Sequence, residues 1–249
     1  MLNLKSVKTQ LILYLVLFAL FLAVRDKDTA FLRAALIAVA AAVVLEFLIL
    51  YLKEKKLQIT ESAVISGLIV GFVISSDNPW WQIALASITA ILSKYFIRFK
   101  GKHIFNPAAF GIFSILVLFG ASTQWKGTYL WYILVPCGIY FAHKIKKLEV
   151  VIGYAVVSLL LFSAQALWQR TSLWNILGFY SYFYIFVMVV EPKTTPVKRT
   201  AKYIFGVGVA ILIFILTEAA VKFDAELFSL LAMNCGVPLL NKLPENSTS

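Results

Sequence analysis

Charge is scarce in this sequence. Only 14% of its 249 residues are Asp, Glu, Lys or Arg, and 12 acidic residues stand against 23 basic ones. A soluble domain carries about a quarter charged residues, so this chain cannot cover itself with a water-facing surface. Metal-ligating side chains are as rare: two cysteines, Cys137 and Cys235, and two histidines, His103 and His143. Two thiols cannot complete a four-thiolate iron–sulfur cluster or a four-ligand zinc site. Both cysteines lie inside apolar runs and read as small packing residues. The histidines fall in basic loops, which leaves no buried pair for a haem. No Gly-x-Gly-x-x-Gly fingerprint, phosphate-binding Walker loop or nucleophile elbow is present, so the signatures of dinucleotide binding, nucleotide hydrolysis and acyl transfer are missing.

What is present is apolar. Hydrophobic residues make up 61% of the chain and mean hydropathy is +0.86. About 20 mainly apolar residues cross roughly 30 Å of hydrocarbon. Ten apolar segments fit the chain, at 9–24, 31–52, 60–75, 80–97, 105–121, 128–142, 149–168, 173–190, 201–221 and 227–241. Lipid admits helices or closed barrels, and no series of ten-residue alternating strands appears. The expected fold is therefore all-α, a polytopic membrane protein of about ten transmembrane helices in a single membrane domain, 1–249. The first segment lacks an Ala-x-Ala cleavage site and is read as a lasting span.

The net charge of +11 points either to nucleic acid or to membrane orientation. The basic residues sit in short loops between apolar runs, which favours orientation and argues against a nucleic-acid partner. With ten spans, sixteen Lys and Arg fall on the side of the N-terminus and six on the other, with Lys94 left inside segment four. The richer side is cytoplasmic. The chain is thus expected in the cell inner (plasma) membrane, multi-pass, with both termini in the cytoplasm.

The sequence also repeats in outline. Gly67 and Gly71, then Asp77-Asn78-Pro79, then Phe105-Asn106-Pro107 are followed in the second half by Gly178, then Glu191-Pro192, then Phe228 to Asn234. Repeat one covers about 1–121 and repeat two about 127–243. Five spans per repeat is an odd number, so the halves would run in opposite directions across the membrane, with ligands near the midplane where short helices meet.

Three stretches could carry chemistry. Ala63, Gly67 and Gly71 recur every fourth residue, which suits close helix packing or a backbone surface for a flat ring. Lys100-Gly101-Lys102-His103 leads into Asn106-Pro107, which opens a helix as a cap and offers a pole for an anion. Glu191-Pro192-Lys193-Thr194-Thr195-Pro196 joins segments eight and nine, either as a stiff loop or as a holder of a polar ligand. Glu46, Lys94 and Glu218 are the ionisable residues at membrane depth. Each lies near a segment end, where snorkelling accounts for it.

At these residues the chain resembles a known family: the B subunit of the sodium-translocating NADH:quinone oxidoreductase and the D subunit of the Rnf electron-transport complex. The resemblance is carried by Ser66-Gly67-Leu68 with Asn78-Pro79-Trp80-Trp81, and by Ser93-Lys94 with Gly101-Lys102-His103-Ile104-Phe105-Asn106-Pro107-Ala108-Ala109. Met188 to Pro196 and Phe228 to Leu240 extend it. It implies a ten-helix inverted repeat, similar also to urea channels, and a flavin-bearing subunit that passes electrons within a larger complex coupled to sodium or proton movement. In that family one FMN is joined by a phosphoester to the Thr of a Ser-Gly-Ala-Thr motif in the loop after the Asn-Pro-Ala helix, and a riboflavin is held without a covalent bond. Here that loop reads Gly120-Ala121-Ser122-Thr123. The residues are similar but their order differs, so Thr123 is a poor acceptor and covalent FMN is not expected.

The reading that follows is a membrane subunit of an Rnf- or Nqr-type complex. It would hold riboflavin or FMN noncovalently between the repeats, with Gly67, Gly71, Lys102, Asn106, Pro107, Thr194, Thr195 and Asn234 as candidate contacts and other subunits as partners. The rivals are a standalone transporter or channel for a small solute on the same fold, and an assembly subunit without its own chemistry.

Overall fold

The computed structural model describes residues 5–55, 57–172 and 181–244. The chain divides into two compact units, Met1–Gly127 and Thr128–Ser249. In the first unit the elements are α1 (Val7–Arg25), α2 (Thr29–Glu54), α3 (Glu61–Val73), α4 (Trp80–Phe96), β1 (Arg98–Phe99), β2 (Lys102–His103) and α5 (Pro107–Phe119). In the second they are α6 (Trp131–Lys144), α7 (Leu148–Trp168), a π-helical turn (Tyr184–Met188), α8 (Arg199–Glu218) and α9 (Ala225–Leu240).

Helices α1, α2, α7 and α8 are long and apolar enough to cross a membrane, yet only 22–39% of each span is buried within the protein. The remainder of these surfaces, including Leu17, Leu36, Leu160 and Trp168, is exposed. A helix apolar on every side and covered on one belongs against lipid. The chain is a polytopic, largely helical membrane protein.

Of the short helices, α3 is largely enclosed, whereas α5 is buried in its first part and exposed at Val117, Leu118 and Phe119. Helices α3 and α5 have 13 residues each, about 20 Å at 1.5 Å per residue, which falls short of the hydrocarbon thickness of roughly 30 Å. Every residue of α3 from Ser66 to Val73 is buried. Their starts are fixed by side-chain caps. Thr60 Oγ1 accepts from Ala63 N–H at 3.1 Å and Asn106 Oδ1 from Ala109 N–H at 3.0 Å. In lipid the hydrophobic effect does not bring helices together, so close backbone contact must. In unit one, α2 packs on α3 and α4, and α4 on α5. In unit two, α7 packs on α8, and α8 on α9. A Cβ on Gly206 of α8 would lie 2.2 Å from the Val150 carbonyl of α7. Residue 206 must therefore be glycine for that pair to close.

Two features depart from the expected pattern. The basic stretch after segment four is a β-hairpin rather than a loop, with Arg98 opposite His103 and Phe99 opposite Lys102. Its two turn residues, Lys100 (φ 49°) and Gly101 (φ 81°), are both left-handed, which is the turn whose twist matches antiparallel strands. Two-residue strands carry no periodicity, so the sequence does not display them. In segment eight, residues 173–180, with Gly178 among them, lie outside the described residues. The described part is the π-helical turn after Phe183 rather than an α-helix.

Candidate functional site

In unit one the chain after α5 folds back along the end of α3. Gly120 caps α5 in the left-handed region (φ 66°). The backbone then pairs across: Ser75 N–H donates to Ser122 O at 2.9 Å, Gln124 N–H to Val73 O at 2.8 Å and Lys126 N–H to Phe72 O at 2.8 Å. Thr123 sits in this ladder opposite Ile74. Asn78 clamps the same loop, donating to Ser122 O at 2.9 Å and accepting from Ser122 N–H at 3.0 Å. At the ladder's end Lys126 bridges Asp28 at 2.7 Å and Asp26 at 3.2 Å.

Gly67 and Gly71 do not face an open surface. A Cβ on Gly67 would come 2.6 Å from Val39 Cα, and one on Gly71 2.6 Å from Ala35 Cα. Helix α2 fills the face on which a flat ring was expected to lie, so the four-residue spacing serves packing. The anion pole at α5 is also largely used. Pro107 has no N–H, and the Ala109 N–H is taken by Asn106. Of the first three helical positions only the Ala108 N–H is left for an anion. Lys102 is exposed on the hairpin, whereas Asn106 and Pro107 are buried.

In unit two the structure brings Thr194, Thr195 and Asn234 together. The buried Asn234 amide donates to Thr194 O at 3.0 Å. Thr195 Oγ1 donates to Glu191 O at 2.8 Å and Thr194 Oγ1 to the Glu191 carboxylate at 3.3 Å. Both threonine hydroxyls thus close the turn upon itself. Lys147, just before α7, donates to Pro196 O at 2.6 Å and Thr195 O at 3.4 Å. Burial, and then the Lys202 ammonium nearby, pull Lys147 down to about 8 against the opposing Glu149 carboxylate. Lys202 itself pairs with Glu149 at 3.3 Å.

The sequence reading missed the pairing of Glu46 with Lys94. Lys94 Nζ lies 3.3 Å from Glu46 Oε2, with both side chains under 10% exposed. It also donates to Ser62 Oγ at 3.1 Å, and the Tyr95 hydroxyl donates to Glu46 Oε1 at 3.2 Å. Snorkelling is therefore wrong for these two residues, because each charge is satisfied inside the protein. Two opposite charges near the same end of α2 and α4 were the available signal. Glu218, in contrast, is exposed and takes a hydrogen bond from Gln165.

Comparison with known proteins agrees with this architecture. One family model, described as the NQR2, RnfD, RnfE family, matches the chain twice, at residues 2–129 and 130–248. Among curated relatives, the D subunit of the ion-translocating oxidoreductase complex of Erwinia tasmaniensis is 36% identical over 95 residues, which cover 36% of this chain and 27% of that protein. The D subunit of the proton-translocating ferredoxin:NAD(+) oxidoreductase complex of Clostridium ljungdahlii is 32% identical over 98 residues, covering 38% of this chain and 30% of that protein. The matched stretches therefore span less than a third of each relative's length.

Proposed function

The chain belongs to the NQR2, RnfD, RnfE family, and on that premise we propose that it is the membrane subunit of an ion-translocating electron-transport complex, set in the inner membrane with both termini cytoplasmic. The observation that carries this reading is the double family match, one per unit, across nearly the whole chain. Two long apolar helices in each unit suit a subunit whose work lies inside the bilayer.

The resemblance implies a flavin between the repeats, held by residues of both. Within unit one, α2 occupies the Gly67–Gly71 face and Asn106 uses the α5 cap. Within unit two, Thr194, Thr195 and Asn234 satisfy one another and Glu191. Thr123 lies in a ladder without the Ser-Gly-Ala-Thr order. Within each unit these residues are therefore engaged with neighbours of the same unit.

Purification of the tagged chain from its native membranes in mild detergent tests the proposal. Co-purification with other redox-complex subunits is the expected result, with no flavin fluorescence at the chain's own mass after denaturation. A chain that emerges alone and admits small solutes into liposomes would overturn the proposal in favour of a transporter.

A further inference from the structure

In unit one the α2–α3 connection and the hairpin after α4 carry a dense positive charge. Residues 53–60 and 96–103 hold six Lys or Arg and one Glu. Packing sets the two segments side by side. Lys53 Nζ stands 5.2 Å from the centre of the Tyr95 ring, and Lys94 Nζ donates to Ser62 O at 3.3 Å. The end of α2, the start of α3 and the end of α4 therefore meet. Lys53, Lys55, Arg98, Lys100 and Lys102 are exposed. Two further acids at this end are engaged elsewhere: Glu61 accepts from the Thr9 hydroxyl, and Glu46 pairs with Lys94. The same surface exposes large apolar side chains, Leu57, Ile59, Phe96 and Phe99. Phe96 and Leu57 are each at least 75% exposed.

Helix length sets the height of this surface in the membrane. The 17 residues of α4 rise about 26 Å. It starts at the exposed Trp80 and Trp81, aromatic anchors that suit one interface. Only Ile97 separates its end from the hairpin. Hydrocarbon is roughly 30 Å thick, so the hairpin stands at the opposite boundary, where lipid phosphates begin. The 26 residues of α2 rise about 39 Å and reach the same layer, with the exposed Leu52 just before Lys53. The hairpin presents ring and charge together. Lys100 Nζ lies 5.7 Å from the centre of the Phe99 ring, and the Arg98 guanidinium donates to Gly101 O across the turn. The plainer reading is orientation alone, in which basic loops keep this side in the cytoplasm. Orientation asks only for charge. It needs neither a folded hairpin nor apolar side chains exposed among the cations. Phosphates take the cations and the upper acyl carbons take the apolar groups, which is the match an anionic bilayer surface offers. An acidic soluble protein would match the cations but not the apolar groups at the hydrocarbon edge.

We propose that the hairpin and the α2–α3 connection form a docking surface for anionic phospholipid headgroups, with Arg98, Lys100, Lys102 and Lys53 on the phosphates and Phe99 and Leu57 among the upper acyl carbons. Docking of this kind needs no partner subunit and stands apart from the electron-transport reading.

The test uses the full chain in phosphatidylcholine bilayers with a trace of spin-labelled phosphatidylglycerol or spin-labelled phosphatidylcholine. The motionally restricted fraction of each label gives their relative association with the protein. Phosphatidylglycerol should be preferred at least about threefold at low salt, and less so as salt screens the charges. The triple variant Arg98→Gln, Lys100→Gln, Lys102→Gln should lose at least about half of that preference. The matched variant Lys144→Gln, Lys146→Gln, Lys193→Gln removes as much charge from unit two and should keep most of it. Thermal midpoints near the native value in pure phosphatidylcholine show that the variants fold. Lys100→Gln alone, at the exposed turn, should lose a smaller share and replaces the triple variant if that one does not fold. A native chain without preference overturns the surface. Equal losses in the two triple variants assign the preference to overall charge and overturn it too. A preference abolished by inorganic phosphate, but not by chloride at the same ionic strength, makes a free anion the ligand and overturns the lipid. An absent preference joined to loss of co-purifying proteins in the hairpin variant gives the surface to a protein partner instead.

Discussion

A methyl group added at Gly71 would stand 2.6 Å from Ala35 Cα and 3.0 Å from Ala35 Cβ, and one at Gly67 would stand 2.6 Å from Val39 Cα and 2.9 Å from Ala38 O. Relaxed carbon contacts lie at about 3.5–4.0 Å, so α2 and α3 must part by about 1 Å. The opposing atoms are mostly main chain and cannot rotate away. Overpacking of this kind costs about 1–3 kcal/mol, and contact with backbone places these sites in the upper half of that range. Alanine returns up to about 1 kcal/mol as the better helix former. The net loss for Gly67→Ala or Gly71→Ala is about 1–2 kcal/mol, or roughly 2–8 °C for a chain of this size. Gly236 of α9 is the control: an added Cβ there meets nothing within 4 Å, so Gly236→Ala gains the helix preference without the clash. Thermal unfolding of the three variants in one detergent, read by tryptophan fluorescence, separates the cases. If Gly67→Ala and Gly71→Ala melt with Gly236→Ala, the α2–α3 seam is open, and the packing argument against a ring on that face fails.

Removing one member of the Glu46–Lys94 pair strands the other charge among buried groups. Glu46→Gln and Lys94→Met should each cost about 3–5 kcal/mol, and the double variant should recover much of that in a detergent-unfolding cycle; additive losses would show that the charges are not coupled. At the Lys126–Asp28 bridge burial opposes both charges, but their hydrogen bond and attraction prevail, holding Asp28 below 3.8 and Lys126 above 10.5. The Asp28 contribution is present above its unfolded value and lost as pH falls through the folded one; that of Lys126 is present below its unfolded value and lost as pH rises through the folded one. Lys126→Met should thus cost about 1 kcal/mol on the plateau between, with its difference from the native chain shrinking as pH falls below about 4; a difference that does not shrink as the pH is lowered refutes the linkage. Asn234→Ala leaves the Thr194 carbonyl without its buried donor and should cost about 1–3 kcal/mol. Asn234→Asp should not rescue it, since a carboxylate only accepts. Limited proteolysis at the 191–198 turn reads both.

Helix existence was legible because lipid imposes it. Long apolar runs have few alternatives at membrane depth, and the segments read at 9–24, 149–168 and 201–221 correspond to α1, α7 and α8. Caps were legible where a short polar side chain meets proline, as at Asn106-Pro107. The hairpin at Arg98–His103 was not, because its strands are too short to show alternation. The role of the small-residue stripe stayed open in the sequence for a physical reason. Glycine at four-residue spacing permits close approach without naming what approaches, and only the position of Ala35 and Val39 shows that α2 does.

Charge at membrane depth shows the same limit more sharply. Glu46 and Lys94, taken singly, each stand within reach of a helix end, and a lone charge there escapes to water at little cost. Once α2 packs on α4, the two are 3.3 Å apart, and Ser62 and Tyr95 take up hydrogen-bonding capacity that water would otherwise fill. The balance then turns from snorkelling to burial, although nothing local to either residue has changed. A hydrophobic window sums composition along the chain, whereas the energy of a charge in a membrane depends on what the fold sets across from it. Functional polar groups in such a protein are therefore found by pairing, and the packed helices decide the pairs.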